Sequence, residues 1–257
     1  KDHLPPADGA WIVKNSWGSQ TDAFPGQAGY GEWGTVNEAG LHTGYFYLSY
    51  YDRTICMAET MEFSQNVAIS PDGSFDVYEY DYMAAMSSFK VAEQNVVRTA
   101  NVFTADSDIL LRSVATKTAD ADARIKFEIY ALKEDAAHPE DGDRLTVFST
   151  NFEYAGYHRI DLEKEVTLGK GRRFSVVITE YTIADDGSRI YAATANAANG
   201  KEKGNDPAYA VGVINPGESY LFANGQWADW SQVSQRYKTD GLELDNFSIK
   251  AYAAAIR

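Results

Sequence analysis

Polar and apolar side chains alternate without a break from Arg124 to Ala131, in the order Arg-Ile-Lys-Phe-Glu-Ile-Tyr-Ala. This is the period-two pattern of a strand that buries one face and wets the other. Shorter apolar or alternating runs predict further strands over Trp11–Val13, Gly44–Asp52, Thr60–Ile69, Phe75–Asp81, Val97–Ala105 and Ile109–Thr118. The series continues over Leu145–Tyr154, Tyr157–Leu162, Arg173–Glu180, Arg189–Ala195, Tyr209–Ile214, Ser219–Ala223 and Asn246–Ala253. Turn chemistry punctuates it at Ser70-Pro71-Asp72-Gly73, Asp141-Gly142, Gly169-Lys170-Gly171, Asp186-Gly187, Pro216-Gly217 and Asn224-Gly225. One short helix is expected, over Ala84–Ala92. Strands of this length and spacing imply a mostly β protein, built as a sandwich or jelly roll.

Composition agrees with the pattern. Tyr (17), Phe (12) and Gly (20) are plentiful in 257 residues, which suits strands and tight turns. A net charge of −14 argues against nucleic-acid binding, which needs clustered Lys and Arg. The single cysteine, Cys56, leaves no intramolecular disulfide. No apolar run is long enough to cross a membrane as a helix.

Before residue 56 the texture differs. A polar loop with Pro5-Pro6 and Asp8-Gly9 leads to the short strand Trp11–Val13, which ends in Asn15-Ser16-Trp17-Gly18. Residues 19–43 are Gly-rich and aperiodic and contain Trp33-Gly34; an aromatic strand opening with Gly44-Tyr45 and carrying Ser49-Tyr50 follows. This order resembles the segment of papain-like cysteine peptidases that carries their asparagine. The resemblance implies that residues 1–55 are the C-terminal, β-barrel portion of a papain-like fold. It implies that Asn15 orients a catalytic histidine and that Trp17 shields the Asn–His contact.

Such chemistry needs a thiolate nucleophile and an imidazole as well as the amide. Cys56 follows Asn15 instead of preceding it and lacks the nucleophile's local signature, so it reads as a structural thiol. His3 runs into Leu4-Pro5-Pro6, which cannot be the strand that a papain-type histidine opens. His42, His138 and His158 sit in a loop, in an acidic loop and at a strand start, all in non-catalytic settings. The expectation is therefore a peptidase whose Cys and His lie on an upstream segment or a separate chain. Lys1 in a loop and Arg257 at the end suit a proteolytically clipped product.

Residues 56–257 carry a second resemblance. Tyr78-Glu79-Tyr80-Asp81, Asn101-Val102-Phe103, Gly156–Leu162, Gly171–Val177, Trp227-Ala228-Asp229-Trp230 and Asn246–Ala251 occur in that order. They resemble the lectin-like domain that follows the peptidase domain in clostridial surface-layer cysteine proteases. The resemblance implies a β-sandwich, an extracellular or cell-surface location and protein substrates for the whole enzyme.

Within this part, Tyr220, Trp227 and Trp230 read either as an aromatic platform for a sugar ring or as packing at the sandwich edge. Asp229 reads either as an acceptor for sugar hydroxyls or as a partner for a turn amide. Carboxylates recur in pairs, at Asp106 and Asp108, Asp120 and Asp122, Glu140 with Asp141 and Asp143, and Asp185 with Asp186. Each is a solvated turn or part of a calcium site, with no loop singled out. No His or Cys cluster suggests zinc. Two functions are consistent with all this: the accessory part of a secreted papain-like endopeptidase, or a non-catalytic adhesion module that binds cell wall or glycan.

Overall fold

The structure, a computed structural model, describes residues 5–20, 31–52, 55, 76–82, 87–93, 95–199, 212–237 and 242–256. His3, Cys56 and the strand expected over Thr60–Ile69 lie outside the described residues. The chain divides into two compact units, Lys1–Ile55 and Cys56–Arg257.

In the first unit, β1 (Ala10–Lys14) pairs antiparallel with β2 (Tyr45–Ser49), with Ile12 opposite Tyr47. The intervening loop lies so close to the strand that two glycines are required. A Cβ on Gly34 would meet the Tyr45 carbonyl oxygen at 2.2 Å, and one on Gly44 would meet that of Gly18 at 2.5 Å. Both also hold positive φ, a region that costs other residues strain. A two-stranded ribbon buries little, and Ile12 and Tyr47 remain 69% and 68% exposed.

Among the described residues, the second unit is a sandwich of two antiparallel sheets. The larger has nine strands: β4 (Ser87–Glu93), β5 (Arg98–Thr104), β7 (Ala123–Leu132), β8 (Gly142–Phe152), β10 (Arg173–Ile183), β11 (Arg189–Asn199), β12 (Ser219–Ala223), β13 (Gln226–Asp229) and β14 (Leu242–Phe247). The smaller has four, in the order β3 (Asp76–Tyr78), β15 (Ile249–Ala255), β6 (Ile109–Thr118) and β9 (Gly156–Leu168). A single helical turn, α1 (Trp230–Val233), follows β13. No closed barrel forms among the described residues.

Alternation decides what lies between the sheets. Phe103, Ile125, Phe127, Ile129, Phe174 and Val176 point inward from the larger sheet and meet Ile109, Leu111, Val114, Ile249 and Ala251 from the smaller. Burying one such side chain stabilises the fold by about 1.5–3 kcal/mol. Alanines at 193, 195 and 197 of β11 and at 251 and 253 of β15 are small positions within this core. The chain changes sheets at Ser248, between β14 and β15. Buried Asn101 clamps that corner, donating to the carbonyls of Phe247 and Ile249 at 3.0 Å each and accepting from Ser219 Oγ at 2.6 Å.

Two sequence expectations need correction. The short helix expected over Ala84–Ala92 is not formed in its described part: residues 87–93 are strand β4, paired with Tyr191–Ala197 of β11. A full ladder with a core strand outweighs the local helical preference of an Ala-containing stretch. The strand expected over Tyr209–Ile214 does not appear in its described part, residues 212–214. There, a Cβ on Gly212 would meet the Leu244 carbonyl oxygen at 1.9 Å, a close backbone approach without strand pairing.

Candidate functional site

The outer face of the larger sheet is not plain solvent-facing surface. Ala100, Val102, Tyr130, Leu132 and Val177 form a second small apolar layer there, with Tyr220, Trp227 and Ala136 packed on it. Ala136 belongs to the loop of residues 133–141, which straps this face. The strap is closed by Lys133 N donating to Asp141 O at 3.0 Å and by a Lys133–Asp141 ion pair at 2.6 Å. Ser175 Oγ donates to the Pro139 carbonyl, fixing the strap to β10. Glu140 then reaches over the sheet. It pairs with Arg98 and accepts from Trp227 Nε1 at 2.9 Å. The Arg98 guanidinium lies 4.0 Å from the centre of the Phe222 ring and 5.2 Å from that of Trp227.

This arrangement fixes the roles of the residues singled out for sugar binding. Trp227 has its indole N–H engaged by Glu140 and its ring edge-on to Phe222, at 5.4 Å. Tyr220 packs on the apolar layer of the outer face. Trp230 is 0% exposed. It is on the inner side, donating Nε1 to the Asp245 carbonyl at 3.0 Å and packing on Phe247 and Tyr237. The three rings therefore make no shared platform, because Trp227 and Trp230 lie on opposite faces of the sheet. Asp229 caps α1. Its carboxylate accepts from Ser231 N at 2.9 Å, Ser231 Oγ at 2.6 Å and Gly217 N at 2.7 Å. Replacing Asp229 with Ala is expected to destabilise the sandwich by about 1–2 kcal/mol, read from the urea midpoint.

At the end of β1, Asn15 N donates to Gly44 O at 2.8 Å. The side-chain oxygen of Asn15 accepts from Trp17 N at 3.2 Å, a tight turn that holds the amide in place. A carbonyl oxygen has two lone pairs, so that oxygen can still accept from an imidazole N–H. Trp17 stays 46% exposed and stands edge-on to Trp33, ring centres 6.1 Å apart. Asn15, Trp17 and Trp33 thus come together at one end of the ribbon.

The described histidines have local structural partners. His42 Nδ1 is 3.2 Å from the Gly34 carbonyl. His138 Nδ1 accepts from Glu140 N at 3.2 Å. His158 stacks on Phe152 at 3.7 Å with Nε2 3.1 Å from Thr118 Oγ1, and burial pushes its pKa down. Several of the paired carboxylates likewise have structural partners: Asp106 accepts from Tyr78 Oη at 2.8 Å, Asp108 from Lys170 N at 2.7 Å and Asp186 from Ser188 N at 2.9 Å. Among the described residues, no three His, Cys, Asp or Glu side chains gather as a metal site for calcium or another ion.

Sequence reading passed over a groove on the same outer face, beside the strap, lined among others by Arg124, Lys126, Ser149, Asn151, Tyr181 and Arg189. No local motif marks it, since its residues come from several strands. Only the period-two pattern, which puts Arg124 and Lys126 outward, hints at it.

The family model described as "Lectin like domain" matches residues 77–253. The chain is similar in structure to the cysteine protease and lectin-like domains of Cwp84, a surface-layer-associated protein of Clostridium difficile, with 23% identity and a TM-score of 0.56. That match covers 98% of this chain and 47% of the solved one. Cwp84 after propeptide cleavage is similar at 24% identity and a TM-score of 0.55, with 98% and 53% covered. The chain thus spans about half the length of the solved proteins it matches. No curated protein matches it.

Proposed function

The chain belongs to the Lectin like domain family, and we propose that it is the C-terminal portion of a secreted or cell-surface papain-like cysteine endopeptidase. In this reading the ribbon of residues 10–49 completes a peptidase fold, and Asn15 orients an imidazole supplied by an upstream segment or a separate chain. The observation that carries it is the end of β1: the Asn15 amide oxygen is held in a tight turn by Trp17 N, and the Trp17 side chain stays exposed. The exposed apolar side chains of the ribbon add support. Trp11, Ile12, Tyr47 and Tyr50 are all more than half exposed, and apolar surface of that kind is normally covered by a partner.

Chemically, a cysteine thiolate of the other segment attacks the peptide carbonyl, and the imidazolium protonates the leaving amine. Water then hydrolyses the acyl-enzyme. The Asn15 amide oxygen accepts from the second imidazole N–H, keeping the ring aligned through both steps. The Trp17 ring keeps water from competing for that bond.

In the active assembly that contains the thiol, Asn15→Ala is expected to lower kcat on the order of 10²-fold. Labelling by a thiol-directed epoxide on the upstream segment would also slow, while the lectin-like unit keeps its unfolding midpoint. Unchanged kcat in the variant would defeat the reading. So would native protein that never accompanies a segment with a reactive thiol, which would leave a non-catalytic surface adhesion module.

A further inference from the structure

We infer that the groove on the outer face of the larger sheet binds an acidic saccharide, a hydroxyl-rich chain bearing a carboxylate or phosphate. This inference is independent of the peptidase reading, because every groove residue belongs to the sandwich. Strand register builds the site. Thr179 of β10 faces Lys126 of β7, which faces Ser149 of β8; the next row sets Tyr181 against Arg124 and Arg124 against Asn151. These positions alternate with Ile125, Phe127 and Ile178, whose side chains fill the core. Two adjacent rows of polar groups thus cross three strands. The open groove holds about 340 Å³, within the roughly 300–1,000 Å³ of small-ligand sites.

Charge selects the ligand class. Four cationic side chains, Arg98, Arg124, Lys126 and Arg189, line the groove against one carboxylate, Glu128, in a chain of net charge −14. Arg98 is taken up by Glu140, and Lys126 by Glu128 at 2.9 Å. Arg124 and Arg189 are exposed, and no carboxylate pairs with either among the described residues. The Arg189 guanidinium is held 4.6 Å from the centre of the Tyr181 ring. It is thus partly preorganised, which lowers the entropy lost on binding. A guanidinium fork matches a carboxylate or phosphate in two parallel hydrogen bonds. Ser149, Asn151 and Thr179 offer donors and acceptors suited to sugar hydroxyls.

Nucleic acid fits this groove less well. Its phosphates repeat at every nucleotide and call for a long basic track, whereas here two guanidiniums without a carboxylate partner among the described residues sit in an otherwise acidic protein. An acid group on one or two sugar rings matches that supply.

The test is calorimetric titration of the whole chain in 50 mM salt with tetragalacturonate, a short glycerol-phosphate oligomer, maltotetraose and a dT oligonucleotide. At least one of the two acidic probes is expected to bind, and which one does so identifies the acid group. Arg124→Gln and Arg189→Gln should each weaken that binding at least tenfold, as should 500 mM salt. Lys170→Gln, in a separate cleft, should leave it unchanged. Matched unfolding midpoints would show that the variants remain folded. Failure of both acidic probes to bind overturns the inference. So do equal binding of maltotetraose, tighter binding of the oligonucleotide, and indifference to both Arg substitutions.

Discussion

Replacing Lys250 with methionine should destabilise the sandwich by about 3–5 kcal/mol at neutral pH, and by much less at pH 5. The Lys250 ammonium pairs with Glu79 and lies 3.4 Å from Asp81 Oδ1, and the Asp81 side chain is only 5% exposed. Burial pulls the Lys250 pKa down, but its hydrogen bond to Glu79 and the charges of Asp81 and Glu79 leave it raised overall. Burial pushes the Asp81 carboxyl up to about 6, even though Lys250 opposes that shift. Removing the ammonium strands a buried carboxylate that still accepts from Asn196 Nδ2 at 3.3 Å but has lost its cation. At pH 5 that carboxyl is protonated and the loss shrinks.

The unmodified protein carries the same linkage. A carboxyl with its folded pKa near 6 and its unfolded pKa near 3.8 binds more protons when folded. Its contribution to stability is complete below about pH 4 and fades as the pH rises through 6, by about 2–3 kcal/mol in all. Urea unfolding from pH 4 to 7 reads this slope, and Asp81→Asn should flatten it. In the Lys250→Met background, Asp81→Asn should recover much of the lost stability at pH 7. A deficit in Lys250→Met that is the same at pH 5 and pH 7 would refute the account.

Replacing Trp230 with alanine should cost about 3–5 kcal/mol and leave the groove's ligand chemistry untouched. The ring is fully buried, packs 4.7 Å from Phe247 and 5.6 Å from Tyr237, and donates to the Asp245 carbonyl. The substitution opens a cavity at the corner of the sandwich and removes the partner of a buried carbonyl. Trp230→Phe keeps most of the volume and loses mainly the hydrogen bond, so its cost should be near 1–2 kcal/mol. Thermal and urea unfolding of both variants separate the two contributions. A Trp230→Ala midpoint within error of the parent would remove this residue from the core.

These residues mark the limits of sequence reading. The strand Ile109–Thr118 was legible to the residue, and Arg124–Ala131 to within one at either end, because each alternates over a core that its own pattern implies. Asn224-Gly225 was legible as a turn; both residues adopt positive φ and close the β12–β13 hairpin. The second arm, Gln226–Asp229, was missed because four residues dominated by Trp and Ala show no clear period. The opposite fates of Trp227 and Trp230 depend on α1 starting at Trp230 and turning that ring inward. The Asn15 turn was visible as a motif. The groove was not, since its rows join residues up to 57 positions apart through strand register.

The smaller sheet has a further implication. Its order places β15, Ile249–Ala255, between β3 and β6, strands laid down well over a hundred residues earlier. Until β15 emerges, β3 has no neighbour in that sheet and one flank of β6 stays open. The smaller sheet therefore cannot be completed before β15 is in place, however early its other strands are made.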